Sequence, residues 1–521
     1  MLEAAASVTK AEGPFASAPF CGTLAGLLLD RAASEPDRVL ITWEHRQITT
    51  AEVASVGHAF ASKLRSLGVK PGDTVLTMMD AGPSYIALFL ALSLVGATWV
   101  PQAPDARGPS LAHVLSIAKP DLVIAAPHAV HNLIASGHND LSTILEVDSW
   151  VWPEPPGLNH FPDPVPSDSD NVCAVLFTSG TTGPPKGVMV TERMLLASAA
   201  GCALASKCEA GDAFLMWEPM HHIGGPQLVI MALIHSARLV VVKRFSARKF
   251  WPLVRAHEVN KLHYLGGILE ILLKSQEQQD DKDHPIKLAF GGGCRPETRR
   301  DFIERFSIPI REVFGMTEAS SFTMVDDRGT IGSIGQVLPW MDVELVEEDG
   351  QLVGEGAVGE IAVRPRHSGL LTPGYLGDAE ATARLLKGGW LYTGDLGRRD
   401  VEGNYFFLGR KTDSLRRRGE NISAWEIETG LAGHPDIAET AIVGVPSEIG
   451  EADILCFIVM REGIVLDLIK IAEWCQVHLP RQHVPRYWKQ VQGFERTPSQ
   501  RIRKDCLDVD LADAIDLGDG Q

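Results

Sequence analysis

The chain reads as an α/β protein, a large N-terminal domain of parallel-rich sheets flanked by helices plus a small α+β C-terminal domain. Three observations predict this. From about Phe20 to Asp400, short apolar runs alternate with longer helix-patterned stretches, as strands and crossover helices do in parallel sheet. The strand-like runs are almost continuously apolar, the pattern of strands covered on both faces. After Arg410 the texture changes to a compact segment of about a hundred residues with its own strand and helix signals. The expected domains are therefore 1–411 and 412–521.

Each element follows from local pattern. Residues 73–79, 121–125 and 238–242 are apolar and rich in β-branched side chains, so they read as buried strands; 50–67 and 111–117 carry helical periodicity. Residues 85–100 are the most apolar stretch, yet too short to span a bilayer and interrupted by Ser, Gly and Thr. They read as a buried helix followed by a strand. Residues 153–170 are dense in Pro, Asp and Ser and form a loop, 276–284 a polar loop or helix end, and 359–407 a run of shorter strands with Gly turns. In the last segment, 423–430 and 466–479 read as helices, 440–445 and 452–460 as strands, and the acidic end 508–521 as a frayed tail.

Composition narrows the function. A length of 521 residues exceeds what one core organises, and 45% hydrophobic with 22% charged residues is ordinary for a globular protein. The net charge of −18 argues against nucleic acid or anionic membrane as a general partner. Eight cysteines are scattered without a CxxC pair, so neither a disulfide framework nor a zinc site is expected and a cytoplasmic setting is. The first 19 residues lack the basic start and apolar centre of a signal peptide.

The central motif is Leu176-Phe177-Thr178-Ser179-Gly180-Thr181-Thr182-Gly183-Pro184-Pro185-Lys186-Gly187, directly after an apolar strand. Gly180 and Gly183 let the backbone present its N–H groups inward, and the hydroxyls with Lys186 add donors, which suits a polyphosphate. It is not a Walker A loop, because the residue five beyond Gly180 is Pro185.

This segment resembles the phosphate loop of the acyl-adenylate-forming superfamily, which includes acyl-CoA synthetases, adenylation domains of peptide synthetases and luciferases. The resemblance runs from about Phe20 to about Lys504 and implies a mobile small domain, Mg·ATP as substrate and domain alternation. Glu218-Pro219-Met220-His221-His222-Ile223-Gly224-Gly225 is similar to the family's Pro-x-x-His-x-x-Gly segment, placing His222 as the gate of the acyl pocket. Gly291-Gly292-Gly293-Cys294-Arg295 resembles the adenine-packing turn, implying Gly293, Cys294 and Arg295 as nucleotide contacts, with no thiol chemistry expected of Cys294. Val313-Phe314-Gly315-Met316-Thr317-Glu318 resembles the aromatic-Gly-x-Thr-Glu motif. The resemblance puts Phe314, Gly315 and Met316 near adenine, Thr317 on phosphate and Glu318 on Mg²⁺. Hard oxygen ligation of Mg²⁺ is what neutralising a triphosphate requires.

Further on, Tyr392-Thr393-Gly394-Asp395 is similar to the family's Thr-Gly-Asp, whose carboxylate accepts the ribose hydroxyls, and Arg410 is implied on ribose and phosphate. Thr412 takes the hinge position. Arg416-Arg417-Arg418-Gly419-Glu420-Asn421-Ile422-Ser423 resembles the loop that lines the pantetheine tunnel at Gly419; its arginines are either a solvated run or contacts for CoA phosphates.

One departure matters. Where the family carries a catalytic Lys in Pro-x-Thr-x-x-Gly-Lys, this chain reads Arg496-Thr497-Pro498-Ser499-Gln500-Arg501-Ile502-Arg503-Lys504. Three outcomes stay open: Arg501 serves in the lysine's place, Lys504 reaches in, or adenylation is weakened. Arg501 is preferred, since it occupies the aligned position, though guanidinium and ammonium differ in shape.

The expected activity is ATP-dependent conversion of a carboxylic acid to acyl-AMP, catalysed through Lys186, His222, Thr317, Glu318 and Arg501, then transfer to a thiol, CoA before others. The loop texture is most similar to carnitine/crotonobetaine-CoA-ligase-like and fatty-acyl-CoA ligases. Alternatives are a stand-alone adenylating enzyme that serves a carrier-protein thiol or a nitrogen nucleophile, and an ATP-binding protein with weakened catalysis.

Overall fold

A computed structural model of the chain describes residues 20–518, apart from residue 21 and the short segments 139, 141–142, 149–150, 154–164, 166–167, 179–184, 266, 349, 412–413, 418–419, 448–451, 480–482 and 497–500. Two largely parallel sheets form its bulk. The nine-stranded sheet runs Gln336–Val337, Ser321–Val325, Ile310–Met316, Leu288–Gly292, Lys261–Leu265, Ala213–Met216, Arg238–Val241, Val39–Trp43 and Arg46–Thr49. Its interior pairs are parallel, and its outer pairs antiparallel. The six-stranded sheet runs Ile144–Glu146, Leu122–Ala125, Thr74–Met78, Thr98–Gln102, Val172–Thr178 and Lys186–Thr191, and only its last pair is antiparallel.

Local chemistry sets the helices between them. Thr49 and Glu52 form a reciprocal capping box that starts the helix Thr50–Ser66. The run read as helix then strand is Pro83–Val95 followed by Thr98–Gln102, with Pro at the helix start and Gly96 turning left-handed at its end. Every residue of that helix is buried, so its apolar girth serves a core and not a bilayer. Its polar atoms are satisfied there: Tyr85 Oη and Thr77 Oγ1 lie 2.6 Å apart, and Trp99 donates to Thr77 at 2.8 Å. Among the described residues, no helix is long and apolar enough to cross a membrane.

A third, antiparallel sheet contains Met341–Val346, Gly359–Pro365, Trp390–Arg399 and Leu386–Lys387, with Tyr405–Arg410 paired to Trp390–Arg399. Beyond it, a hairpin Ser414–Arg417/Glu420–Ser423 precedes the sheet Ile437–Pro446, Ala452–Met460, Tyr487–Gln490 and Ile515–Asp516, packed by Ala424–Ala432 and Leu468–His478. Ile427, Leu431, Ile454, Ile458, Ile471 and Trp488 share a core of their own there.

The acidic end is not frayed over its described part. Ile515–Asp516 pairs with Tyr487 and Trp488, and Arg486 grips Asp516 through two nitrogens at 3.1 and 3.0 Å while bonding the buried Asp453 at 3.0 Å. A net count of acidic residues misses this, because one arginine placed at the adjacent strand turns two of them into ligands. Arg486→Ala is expected to destabilise this segment by about 2 kcal/mol, since it removes charge-assisted hydrogen bonds to Asp516 and to the buried Asp453. A denaturant midpoint unchanged from wild type would refute that.

Candidate active site

Three sheets each send a charged side chain to one centre. The six-stranded sheet contributes Lys186, which is in register with Thr178 across the hairpin that brackets residues 179–184. Ser179, Gly180, Thr181, Thr182 and Gly183 lie outside the described residues, as do Thr412 and Gly419. The Lys186 ammonium sits 5.2 Å from the Tyr375 ring centroid, within cation–π reach.

The nine-stranded sheet contributes Thr317 and Glu318, both buried, at the end of Ile310–Met316. Here the chain doubles back on itself. A Cβ on Gly315 would stand 1.7 Å from the Ser321 carbonyl oxygen, so only glycine fits. Ser320 and Ser321 both take left-handed backbone, φ 57° and 70°, a strained arrangement of the kind found at functional sites. Tyr375 donates to Glu318 Oε1 at 2.8 Å, and the Thr372 N–H donates to the Glu318 carbonyl at 2.8 Å. Burial raises the Glu318 pKa, while the Tyr375 bond and the charges of Arg410 and Lys186 oppose that rise.

The third sheet contributes Asp395 and Arg410, neighbours across a strand pair, with Arg410 Nε 3.1 Å from Asp395 Oδ1. Gly394 adopts φ 72°, the turn that lets Thr393 Oγ1 accept the Asp395 N–H at 3.1 Å. Asp395 is thereby a fixed, nearly buried acceptor.

The turn at Gly293 and Cys294, which the sequence assigned to adenine, is held from behind by a residue that sequence motifs did not reveal. Glu312 Oε1 accepts the N–H groups of Gly293 and Cys294 at 2.6 and 3.0 Å, and its Oε2 accepts Tyr264 Oη–H at 2.6 Å. Gly293 has φ 85°. Burial pushes the Cys294 thiol up, consistent with a packing role. Arg295 pairs with Glu270 at 3.2 Å and begins the helix Pro296–Phe306, so its charge is already shared. Phe314 faces Phe407 at 6.3 Å between centroids, and Phe407 meets Trp425 edge-on at 6.0 Å, which links the turn to the helix Ala424–Ala432. Met316 lies beside them, paired with Ser321.

His222 is half-buried, and its Nδ1 accepts the Gly224 N–H at 3.3 Å. Burial first, then the neighbouring His221, His263 and Arg501, push its pKa down to about 4, so the imidazole is neutral at neutral pH. Arg501 thus stands within electrostatic reach of His222. Lys504 does not join it: its ammonium pairs with Glu428 at 2.8 Å, and the same Glu428 oxygen caps the Ile442 N–H. Tyr375, Thr372 and Glu312 carry no signal of their own in the sequence.

Among the described residues, no group of three or more His, Cys, Asp or Glu is placed to hold a metal. Glu318 alone still fits Mg²⁺, which keeps waters and takes one or two carboxylates together with substrate phosphates. A carboxylate whose pKa burial raises is one that an arriving cation stabilises.

Burial pushes the Glu312 carboxyl up to about 7. A carboxyl whose folded pKa exceeds its ordinary value favours folding most below about 4.5, and that contribution is lost as pH rises through about 7. The stability of wild type relative to Glu312→Gln is therefore expected to fall between pH 5 and 7.5. Parallel denaturant midpoints for the two proteins across that window would refute it.

Comparison with known proteins places the chain in a family. The family model described as AMP-binding enzyme matches residues 28–376, and that of the AMP-binding enzyme C-terminal domain matches 426–501. The crotonobetaine/carnitine–CoA ligase of Salmonella arizonae is 28% identical over 86% of this chain and 90% of its own. The sulfoacetate–CoA ligase of Cupriavidus necator is 29% identical over 92% and 96%. In fold, the chain is similar to the o-succinylbenzoate coenzyme A synthetase of Bacillus subtilis in complex with ATP and magnesium ion, with a TM-score of 0.79, 23% identity and coverage of 92% and 98%. The chain belongs to the AMP-binding, acyl-adenylate-forming enzyme family.

Proposed function

We propose that this enzyme is an acid–CoA ligase in which Arg501 takes the place of a catalytic lysine. The observation that carries this reading is the convergence of Lys186, Glu318 and the Asp395–Arg410 pair from three separate sheets, with Arg501 approaching from the C-terminal segment on the side of His222. Residues 1–411 hold ATP and the acid, and 412–521 swing about Thr412.

In the first half-reaction an oxygen of the acid's carboxylate bonds to the α-phosphorus of ATP, and the bond to the β-phosphate bridging oxygen breaks, giving acyl-AMP and pyrophosphate. Asp395 holds the ribose hydroxyls, and the Glu312-braced turn at Gly293, Cys294 and Arg295, with Phe314, Gly315 and Met316, receives adenine. Thr178, Thr317, Lys186 and the residues 179–183 bind phosphate oxygens. Glu318 would hold Mg²⁺, which when bound offsets triphosphate charge. Arg501 and Arg410 offset the negative charge that grows as the bond to phosphorus forms, a preorganised electrostatic contribution. His222, neutral, lies beside the acid's carboxylate without competing for its charge.

In the second half-reaction the small domain turns, Gly419 borders the pantetheine path, and the CoA sulfur displaces AMP from the acyl carbon. CoA is the acceptor we assign, with a carrier-protein thiol as the rival arm of the same assay. The cytoplasm is the setting we assign, because every described cysteine is a free thiol.

Pyrophosphate release from Mg·ATP with a panel of acids, with and without CoA, tests the assignment. Release should require an acid and rise with CoA. Arg501→Ala should lower it about 10²–10³-fold, the usual cost of losing one charge-stabilising donor, and Lys504→Ala should leave it within a few-fold of wild type. An Arg501→Ala enzyme at the wild-type rate would remove Arg501 from the role, and a Lys504→Ala enzyme that loses release would transfer the role to Lys504.

A further inference from the structure

Behind His222 lies a buried polar pair that the proposed chemistry does not use. Glu218 follows the strand Ala213–Met216 and has 0% of its surface exposed, and His263 in Lys261–Leu265 has 2%. His263 Nδ1 and Glu218 Oε1 are 2.5 Å apart. Glu218 Oε2 accepts the Trp217 N–H at 3.0 Å, and the Trp217 indole donates to the His263 carbonyl at 2.9 Å. The ring is therefore fixed in one orientation, with Nδ1–H committed to a carboxylate.

His263 also stands on the wall that His222 begins. Alternation along its strand sends Leu262 and Tyr264 into one core with Phe302 and Phe306, and His263 to the opposite face. There its ring lies 4.9 Å from Phe290 and 6.2 Å from Phe322. A Cβ on Gly224 would touch His222 Nδ1 at 3.4 Å and His263 Cε1 at 3.7 Å, so the two imidazoles flank one glycine. Phe322 in turn pairs with Gly315 of the nucleotide-side motif. His222, Gly224, His263, Phe322 and Gly315 are thus consecutive neighbours.

On this wall His263 Nε2 is buried with no hydrogen-bond partner. An unpaired buried nitrogen is destabilising, and a Leu or Val would avoid it at a sheet interior. With Nδ1–H given to Glu218, Nε2 is left as the ring's acceptor. We propose that His263 is a specificity-determining residue of the acyl site, and that the acid this enzyme activates carries a hydrogen-bond donor, a hydroxyl in the first instance, that Nε2 receives. This rests on the ligase reading above, with His222 bordering the acid.

The test compares chain-matched pairs of acids, hydroxy against deoxy and hydroxy against oxo, by kcat/KM for pyrophosphate release. Wild type should favour the hydroxy acid at least tenfold over its deoxy partner. His263→Leu should erase that preference while leaving the KM for ATP unchanged. Glu218→Gln supplies a second readout that also serves if the leucine variant does not fold. Its carbonyl keeps the Trp217 N–H, its NH₂ donates to Nδ1, and the ring proton moves to Nε2. Preference should then shift from hydroxy toward oxo acids. A preference unchanged in both variants, or a wild type that favours the deoxy acid, would overturn the assignment of His263 alone. Acid-independent or absent release in wild type would overturn the ligase reading and this assignment with it.

Discussion

A carboxylate held out of water organises the centre of this molecule. Glu318 lies at the point where the nine-stranded sheet turns back through two left-handed serines, a path open only because Gly315 lacks a side chain. Its backbone carbonyl takes the Thr372 N–H and its side chain takes Tyr375 Oη–H. The chain around Tyr375 is in turn hydrogen-bonded to the hairpin that bears Lys186, through Leu376 N–H to the Gly187 carbonyl and Met189 N–H to the Gly374 carbonyl. The cost of burying one anion is thus spread over two sheets, with Lys186 and Arg410 supplying the opposing charge. A site built this way suits the proposed binding of polyphosphate, with its cations already positioned and one anionic oxygen donor free to face a metal.

Much of this was legible in the sequence because its chemistry is local. Phe314-Gly315-Met316-Thr317-Glu318 and Thr393-Gly394-Asp395 are contiguous motifs whose glycines are required by the backbone they form. The strands and helices of the N-terminal bulk were legible for a similar reason: burial on both faces writes a largely apolar run, as in Leu122–Ala125 and, with two threonines, Thr74–Met78.

The residues that escaped detection act across distance. Tyr375 meets Glu318 over 57 positions, Tyr264 meets Glu312 over 48 and His263 meets Glu218 over 45. Each is an unremarked side chain until the fold brings two distant segments together, as the parallel sheet does for His263 and Glu218, and no periodicity encodes which segments those are. The acidic end failed for a related reason. Composition marks it as solvated, but Arg486, just before the strand Tyr487–Gln490, reaches it and holds it in the sheet.

The proposed exchange of lysine for Arg501 follows the same logic of context. Lys504, three positions on, is committed to Glu428 inside the small domain, and withdrawing it would leave that carboxylate, together with the Ile442 N–H it accepts, to reorganise. Arg501 carries a charge that no accessible pH removes and a planar fork able to address two oxygens at once. Beside it, His222 is driven neutral by burial, and Arg501 itself contributes to that. In the proposed adenylation, a second cation next to the arginine would divide the attraction for the acid's carboxylate between two centres, whereas a neutral imidazole leaves it directed at the one that holds it against the α-phosphate.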